Sequence, residues 1–179
     1  IMEEKTLSSE LIYKGKIISV RCDKVKLSDG RISNREIVDH SPAVVIIAID
    51  EQDRICFVKQ YRKPVESVLI ELPAGCVDAD EDILAAAKRE LKEECGCIAK
   101  QWTTLQRLYP TPGFCNEEYC FFLAEDISFG SQSLDEDEAV EFFRWDFDRY
   151  KKAILDNEIK DLKTVLGFYL VENYFKGRV

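Results

Sequence analysis

Three glutamates offer the clearest chemistry in this sequence: Glu90, Glu93 and Glu94, in the run Arg89-Glu90-Leu91-Lys92-Glu93-Glu94. On a helix, residues three and four apart leave the same side as neighbours, with Cβ atoms roughly 5–6 Å apart. Like charges that close repel one another and weaken the helix unless a cation neutralises them. Carboxylate oxygens suit hard ions such as Mg²⁺ or Mn²⁺. Leu91 and Cys95 point the other way and can anchor the helix to a core, while Lys88 and Arg89 can pair with nearby carboxylates. A solvated acidic face is the plain alternative for three such residues taken alone. The charge of the whole chain bears on the choice: it is −9 at neutral pH, with a pI near 4.8. An acidic protein has no long-range attraction for a nucleic-acid backbone, whereas a phosphate-ester substrate would need a divalent cation to bridge it to the protein.

Other hydrolytic chemistries have little to work with. His40 is the only histidine, so a Ser-His-Asp or Cys-His arrangement lacks a ready base beside its nucleophile, and His40 reads as structural. Seven cysteines, at positions 22, 56, 76, 95, 97, 115 and 120, form no Cys-x-x-Cys pair. The odd count and that spacing argue against a disulfide framework and a zinc ribbon, and leave reduced, mostly buried thiols. No basic-then-apolar segment opens the chain and no apolar run reaches membrane-span length, so the expected compartment is the cytoplasm.

A glutamate helix acts only if other elements hold it. Its span is expected from about Asp80 to Cys95, capped by Asp78 or Asp80, with acidic residues in the first turn and Gly96 as the left-handed C-terminal residue. Ile83, Leu84, Ala87, Leu91 and Cys95 repeat at helical spacing. Upstream, strand-like runs at Leu11–Tyr13, Lys16–Leu27 and Arg31–Val38, the last two joined by a Ser28-Asp29-Gly30 turn, suggest an antiparallel appendage over residues 1–40. The remainder, 41–179, is read as the main domain. It should hold a second hairpin, Ala43–Ile49 with Ile55–Tyr61, and a short strand Val68–Leu72 closed by Pro73-Ala74-Gly75. Strands near Trp102–Leu108, Tyr119–Ala124 and Val140–Arg144 follow, then helices at Phe147–Leu155 and Asp161–Phe175. This order implies a mixed α/β sandwich, and 179 residues suffice for a full core.

Gly75, Glu81, Arg89-Glu90-Leu91, Glu93-Glu94 and Gly96 stand at the spacing of the Nudix box, and the chain resembles the Nudix hydrolase superfamily. At average residue usage, chance would produce such a match about one time in a million. One departure is Cys97, where an aliphatic residue is usual; a small apolar side chain there bears on core packing and not on metal chemistry. Arg35-Glu36, Gln60-Tyr61-Arg62, Glu71-Leu72-Pro73-Ala74-Gly75, Pro112-Gly113 with Glu117, and the acidic loop Asp135–Glu138 follow in the order seen in the ADP-ribose pyrophosphatase group.

That resemblance implies an α/β/α sandwich with a mixed sheet and an N-terminal antiparallel appendage, usually in a homodimer whose appendages help complete the partner's site. It implies Mg-dependent cleavage of ADP-ribose to AMP and ribose 5-phosphate by metal-activated water, with two to three Mg²⁺ ions and Mn²⁺ as the alternative ion. The metal ligands would be Glu90, Glu94 and the Ala74 carbonyl, with Glu93 adjacent and Glu81 and Arg89 orienting the set. Glu136 matches the catalytic base best, with Glu138 second. Arg62 could hold a phosphate or ribose oxygen through its fork of donors, or else be a strand-end surface arginine; by the resemblance, Arg35 and Glu36 match nucleoside contacts, Gly113 belongs to the loop that marks the group, and Glu117 matches a residue near the ribose. Tyr13, Tyr61 and Phe114 are candidates for stacking on the base, each read first as core or scaffold. Two rival readings are a nucleotide-sugar pyrophosphatase acting, for instance, on GDP-mannose, and a catalytically inactive ligand-sensing module. The second fits poorly with a chain that keeps Glu81, Glu90, Glu93 and Glu94. No nucleic acid or membrane partner is expected.

Overall fold

The computed structural model describes residues 2–134 and 139–176, the side chains only as far as 172. The alternating start of the chain forms β1 (Lys5–Lys14), β2 (Ile18–Lys26) and β3 (Ile32–His40), an antiparallel sheet in that order. The turn between β2 and β3 closes through Gly30, whose N–H donates to the Leu27 carbonyl at 2.9 Å and whose φ of 88° is the left-handed region that glycine tolerates. β1 is the edge, exposed along its whole length. By proximity of the backbone this sheet forms one unit, up to Pro42, which also takes in Tyr109–Glu118. Within it, Val38 donates to the Phe114 carbonyl at 2.8 Å and accepts from Asn116 N–H at 3.2 Å, a short parallel bridge that holds the Pro112-Gly113 loop against β3.

The second unit holds Ala43–Leu108 and the chain from Tyr119 onward. Its elements are β4 (Ala43–Ala48), β5 (Ile55–Arg62), β6 (Ser67–Glu71), β7 (Ala74–Cys76), α1 (Ile83–Cys95), β8 (Cys97–Leu108), β9 (Tyr119–Phe129), β10 (Val140–Trp145), α2 (Phe147–Leu155) and α3 (Leu162–Lys176). They build a four-stranded mixed sheet, ordered β7-β4-β9-β8, and a three-stranded antiparallel sheet, β10-β5-β6.

The expected second hairpin is therefore not a hairpin. β4 pairs with β7 and, in parallel, with β9, while β5 pairs with β6 and β10; only a single bridge, Ile49 to Ile55, joins the two. The reason lies in burial. Both faces of β4 are covered, so its apolar run serves two cores rather than one. Val44, Ile46 and Ala48 pack with Ala86, Ala87, Leu91 and Cys95 of α1, whereas Val45 and Ile47 pack with Tyr150 and Ala153 of α2 and Phe168 and Val171 of α3. Helices on both sides of the strands make this an α/β/α sandwich.

Cys97 lies fully buried beside Leu91, in the role of a small apolar core residue. Of the seven thiols, four are buried and only Cys76 is exposed. Tyr13, Tyr61 and Phe114 are each more than half exposed, so none of the three is a core residue.

Candidate active site

α1 begins at Ile83, the first residue of its apolar repeat and later than the start near Asp80 that an Asp78 or Asp80 cap implied. Asp82 is its cap: the side chain accepts from Ala85 N–H at 3.0 Å, while Asp80 sits at a positive φ of 64° in the turn before it. No acidic residue occupies the first turn, because Asp78, Asp80, Glu81 and Asp82 all precede it. Glu81 is left to serve the site instead. At the other end Gly96 takes the left-handed conformation, φ 64°, and its N–H closes onto Lys92 O at 2.9 Å.

Arg89 organises the acidic face. Its Nε and one terminal nitrogen grip the two Glu81 oxygens at 2.9 and 3.0 Å, and the same nitrogen, Nη2, donates to the Cys76 carbonyl at 3.0 Å. Nη1 donates to Glu90 Oε1 at 2.7 Å and Glu93 Oε2 at 3.0 Å. Hydrogen bonding to Glu81, followed by Glu90 and Glu93, holds the guanidinium more firmly protonated than usual despite burial, and the same contact keeps the Glu81 carboxyl below its ordinary range. Mutual repulsion among the glutamates is thus relieved by a side chain of the helix itself.

The turn after β6 meets this face. Glu94 is buried, and its Oε2 accepts from Ala74 N–H at 2.9 Å. Ile46 N–H donates to the Pro73 carbonyl at 2.9 Å, so β4 fixes the turn from its other side. Gly75 stands where any side chain would run into the Glu90 carboxylate; the missing Cβ is the space that Glu90 fills. Ala74, Glu90, Glu93, Glu94, Arg89 and Glu81 are therefore brought together, although among the described residues no three His, Cys, Asp or Glu side chains stand in a metal-holding arrangement. The donor chemistry fits a hard divalent ion: carboxylate oxygens with little exposure, 13% for the Glu90 side chain, against a backbone turn cleared by glycine.

Arg62, at the end of β5, turns both Nε and Nη2 onto Glu71, each at 2.7 Å. The Glu71 carboxylate is buried, and Lys163 of α3 donates to it at 2.5 Å. Thr164, the next residue, accepts from Leu72 N–H at 2.8 Å and donates to Asp161 at 2.6 Å. Sequence reasoning gave Arg62 a substrate to hold and missed Glu71, Lys163 and Thr164, because their meeting depends on α3 packing against β6.

The other expected substrate residues belong to the first unit. Arg35 on β3 pairs with Glu4 through two bonds of 2.9 and 2.5 Å, with Glu36 next to it on the strand. The Glu117 carboxylate lies 3.7 Å from His40 Nδ1, and a Cβ on Gly113 would meet open space. His40 donates its backbone N–H to Asn116 at 2.9 Å. Glu136 and Glu138 lie outside the described residues.

A capped acidic helix, its arginine clamp and a glycine-cleared turn, set on an α/β/α sandwich, suit a metal-dependent hydrolase of phosphate anhydrides. The comparisons agree. The NUDIX domain model matches residues 39–163, and a nucleoside diphosphate sugar hydrolase N-terminal domain matches residues 4–38. The chain belongs to the Nudix hydrolase family, whose members in general need divalent metal ions. The ADP-ribose pyrophosphatase of Bacillus subtilis (strain 168) is 40% identical over 173 residues, 96% of this chain and 94% of that protein. The methanol dehydrogenase activator of Bacillus methanolicus is 38% identical over 169 residues, 93% of this chain and 91% of the relative. Among solved structures, the crystal structure of an ADP compounds hydrolase superposes with a TM-score of 0.87 at 25% identity, covering 99% of this chain and 97% of that one. Among the described residues no helix is long and apolar enough to cross a membrane.

Proposed function

We propose that the chain hydrolyses the pyrophosphate bond of ADP-ribose, giving AMP and ribose 5-phosphate. The carrying observation is identity of 40% along nearly the whole length of a relative named for that activity, together with a complete acidic helix and its clamp. Glu90, Glu94 and the Ala74 carbonyl would hold Mg²⁺, with Glu93 beside them. Two or three such ions, when bound, would screen the phosphoryl oxygens and lower the pKa of water. Arg89, fixed by Glu81, keeps the carboxylates gathered. Arg62 would receive an anionic group of the substrate, and Arg35, Glu36, Gly113 and Glu117 would recognise the nucleoside and ribose. Glu136, or else Glu138, would take the proton from the attacking water. We read residues 1–40 as an appendage serving dimerisation and substrate contact and 41–179 as the hydrolase domain. The assembly would be a homodimer, and the free thiols suit the cytoplasm.

The match of residues 4–38 favours one second reading, a nucleotide-sugar pyrophosphatase, for instance on GDP-mannose. kcat/KM measured on ADP-ribose and a panel of nucleotide sugars, each with Mg²⁺ and with Mn²⁺, decides between them. ADP-ribose should be the best substrate by at least about tenfold, which is about 1.4 kcal/mol in transition-state binding. A nucleotide sugar ahead of it transfers the assignment, and no metal-dependent turnover on any of them ends it.

A further inference from the structure

The first turn of α3 carries a charge that the site chemistry above does not use. Lys163 is 7% exposed, and its ammonium bonds Glu71 at 2.5 Å and Asp161 at 3.0 Å. Glu71, only 1% exposed, therefore serves two cations at once, with Lys163 on Oε2 and the Arg62 fork on both oxygens. Two cations and two anions, Arg62, Lys163, Glu71 and Asp161, sum to zero. Removing the lysine charge would leave this group at minus one.

Arg62 differs from its partners in one respect. Its side chain is 39% exposed even with Nε and Nη2 engaged, whereas the Glu71 side chain is 1% and that of Lys163 8% exposed. Hydrogen bonding to Glu71 holds it more firmly protonated against the opposing effect of burial, and the charges of Glu71, Glu94 and Asp161 add to this. Arg62 thus lies within electrostatic reach of Glu94, the glutamate bonded to the Ala74 turn. A bidentate pair fixes the plane of an arginine, and a buried carboxylate shared with a second cation leaves more of that arginine's charge for an outside anion.

We propose that Lys163 is a positioning residue for substrate binding: by neutralising Glu71 it holds Arg62 in place with its charge available to an anionic group of the substrate. This rests on Arg62 being a substrate residue in the proposed pyrophosphohydrolase. Lys163 itself is too buried to touch a ligand, and acts through Glu71 and Arg62.

The test is a double-mutant cycle on steady-state kinetics, with thermal unfolding of every variant. Wild type, Lys163→Met, Lys163→Arg, Arg62→Ala and the Arg62→Ala/Lys163→Met pair are compared on ADP-ribose with saturating Mg²⁺. Lys163→Met should raise KM about tenfold with kcat within about twofold, and Lys163→Arg should restore KM to within about threefold of wild type. Added to Arg62→Ala, Lys163→Met should change kcat/KM by less than about twofold, since its route to the substrate is gone. Effects that multiply in the double variant, or a fall in kcat and melting temperature with KM unchanged, would overturn the proposal. Should Lys163→Met not fold, Lys163→Gln carries the same expectations; if neither folds, Lys163 is a stability residue and the proposal fails. Wild-type protein inert on ADP-ribose counts against the proposed function instead, and the cycle is then run on whichever substrate of the panel it cleaves.

Discussion

Gly75→Ala isolates the role of the glycine-cleared turn, because it adds one methyl group at the point where Glu90 meets the backbone. Gly75 lies in β7 opposite Val44 and is not in the left-handed region, so alanine meets no backbone penalty there. The collision is with the end of the Glu90 side chain, a flexible group that can swing away cheaply. To restore ordinary contact, the carboxylate must retreat on the order of 1 Å or more. Misplacement of that size in a catalytic constellation costs about 100-fold in rate, which corresponds to about 2.7 kcal/mol. The fold should barely register it: the melting temperature should move by no more than about 3 °C, as expected for about 1 kcal/mol in a domain of this size. The assay is kcat/KM for ADP-ribose across a Mg²⁺ titration, paired with thermal unfolding and with Mn²⁺ binding followed by electron paramagnetic resonance. Turnover within about threefold of wild type at low Mg²⁺, with Mn²⁺ bound as tightly, would refute the argument that Gly75 exists to make room for Glu90.

Gly96→Ala should behave in the opposite way. Its φ is 64°, and a Cβ would strike the backbone of Gly130 to Gln132 at 2.8–2.9 Å, so urea unfolding should show a loss of about 2 kcal/mol or more. Thr164→Val removes the acceptor for the Leu72 N–H at a fully buried position, and the same experiment should read a loss of about 1–3 kcal/mol. Burial pushes the Glu71 carboxyl up, but Arg62 and Lys163 outweigh it and hold its pKa below the ordinary value, so the unfolded chain binds more protons in acid than the folded one does. The resulting stability is complete above the unfolded carboxyl pKa, about 4.3, and is lost as pH falls through the folded value; Glu71→Gln should flatten that part of the urea midpoint against pH. Glu136→Gln should lose most of kcat with substrate affinity retained, and near wild-type turnover excludes Glu136 as the base.

What the sequence disclosed was mostly local. Helix α1 is written in its apolar spacing and in Gly96, and the Arg89–Glu93 contact follows from positions four apart. The cap was misplaced because Asp78, Asp80 and Asp82 are alike in composition, and only Asp82 has extended backbone immediately before the first helical turn. β4 and β5 looked like a hairpin because two apolar runs and a polar turn are the pattern of one. Whether neighbouring strands share a sheet depends on what covers their faces, and the faces of β4 are covered by helices far along the chain. The same distance concealed Lys163 and Thr164, which meet Glu71 and Leu72 across 92 positions.

Arg89 also separates two events that many metal proteins combine. A zinc finger remains unfolded until its ion arrives, because nothing else offsets its ligands. Here an internal counter-ion already offsets part of the charge of the acidic helix. Newly made chains should therefore fold before any ion is bound, and a chelator should abolish turnover while leaving thermal unfolding unchanged.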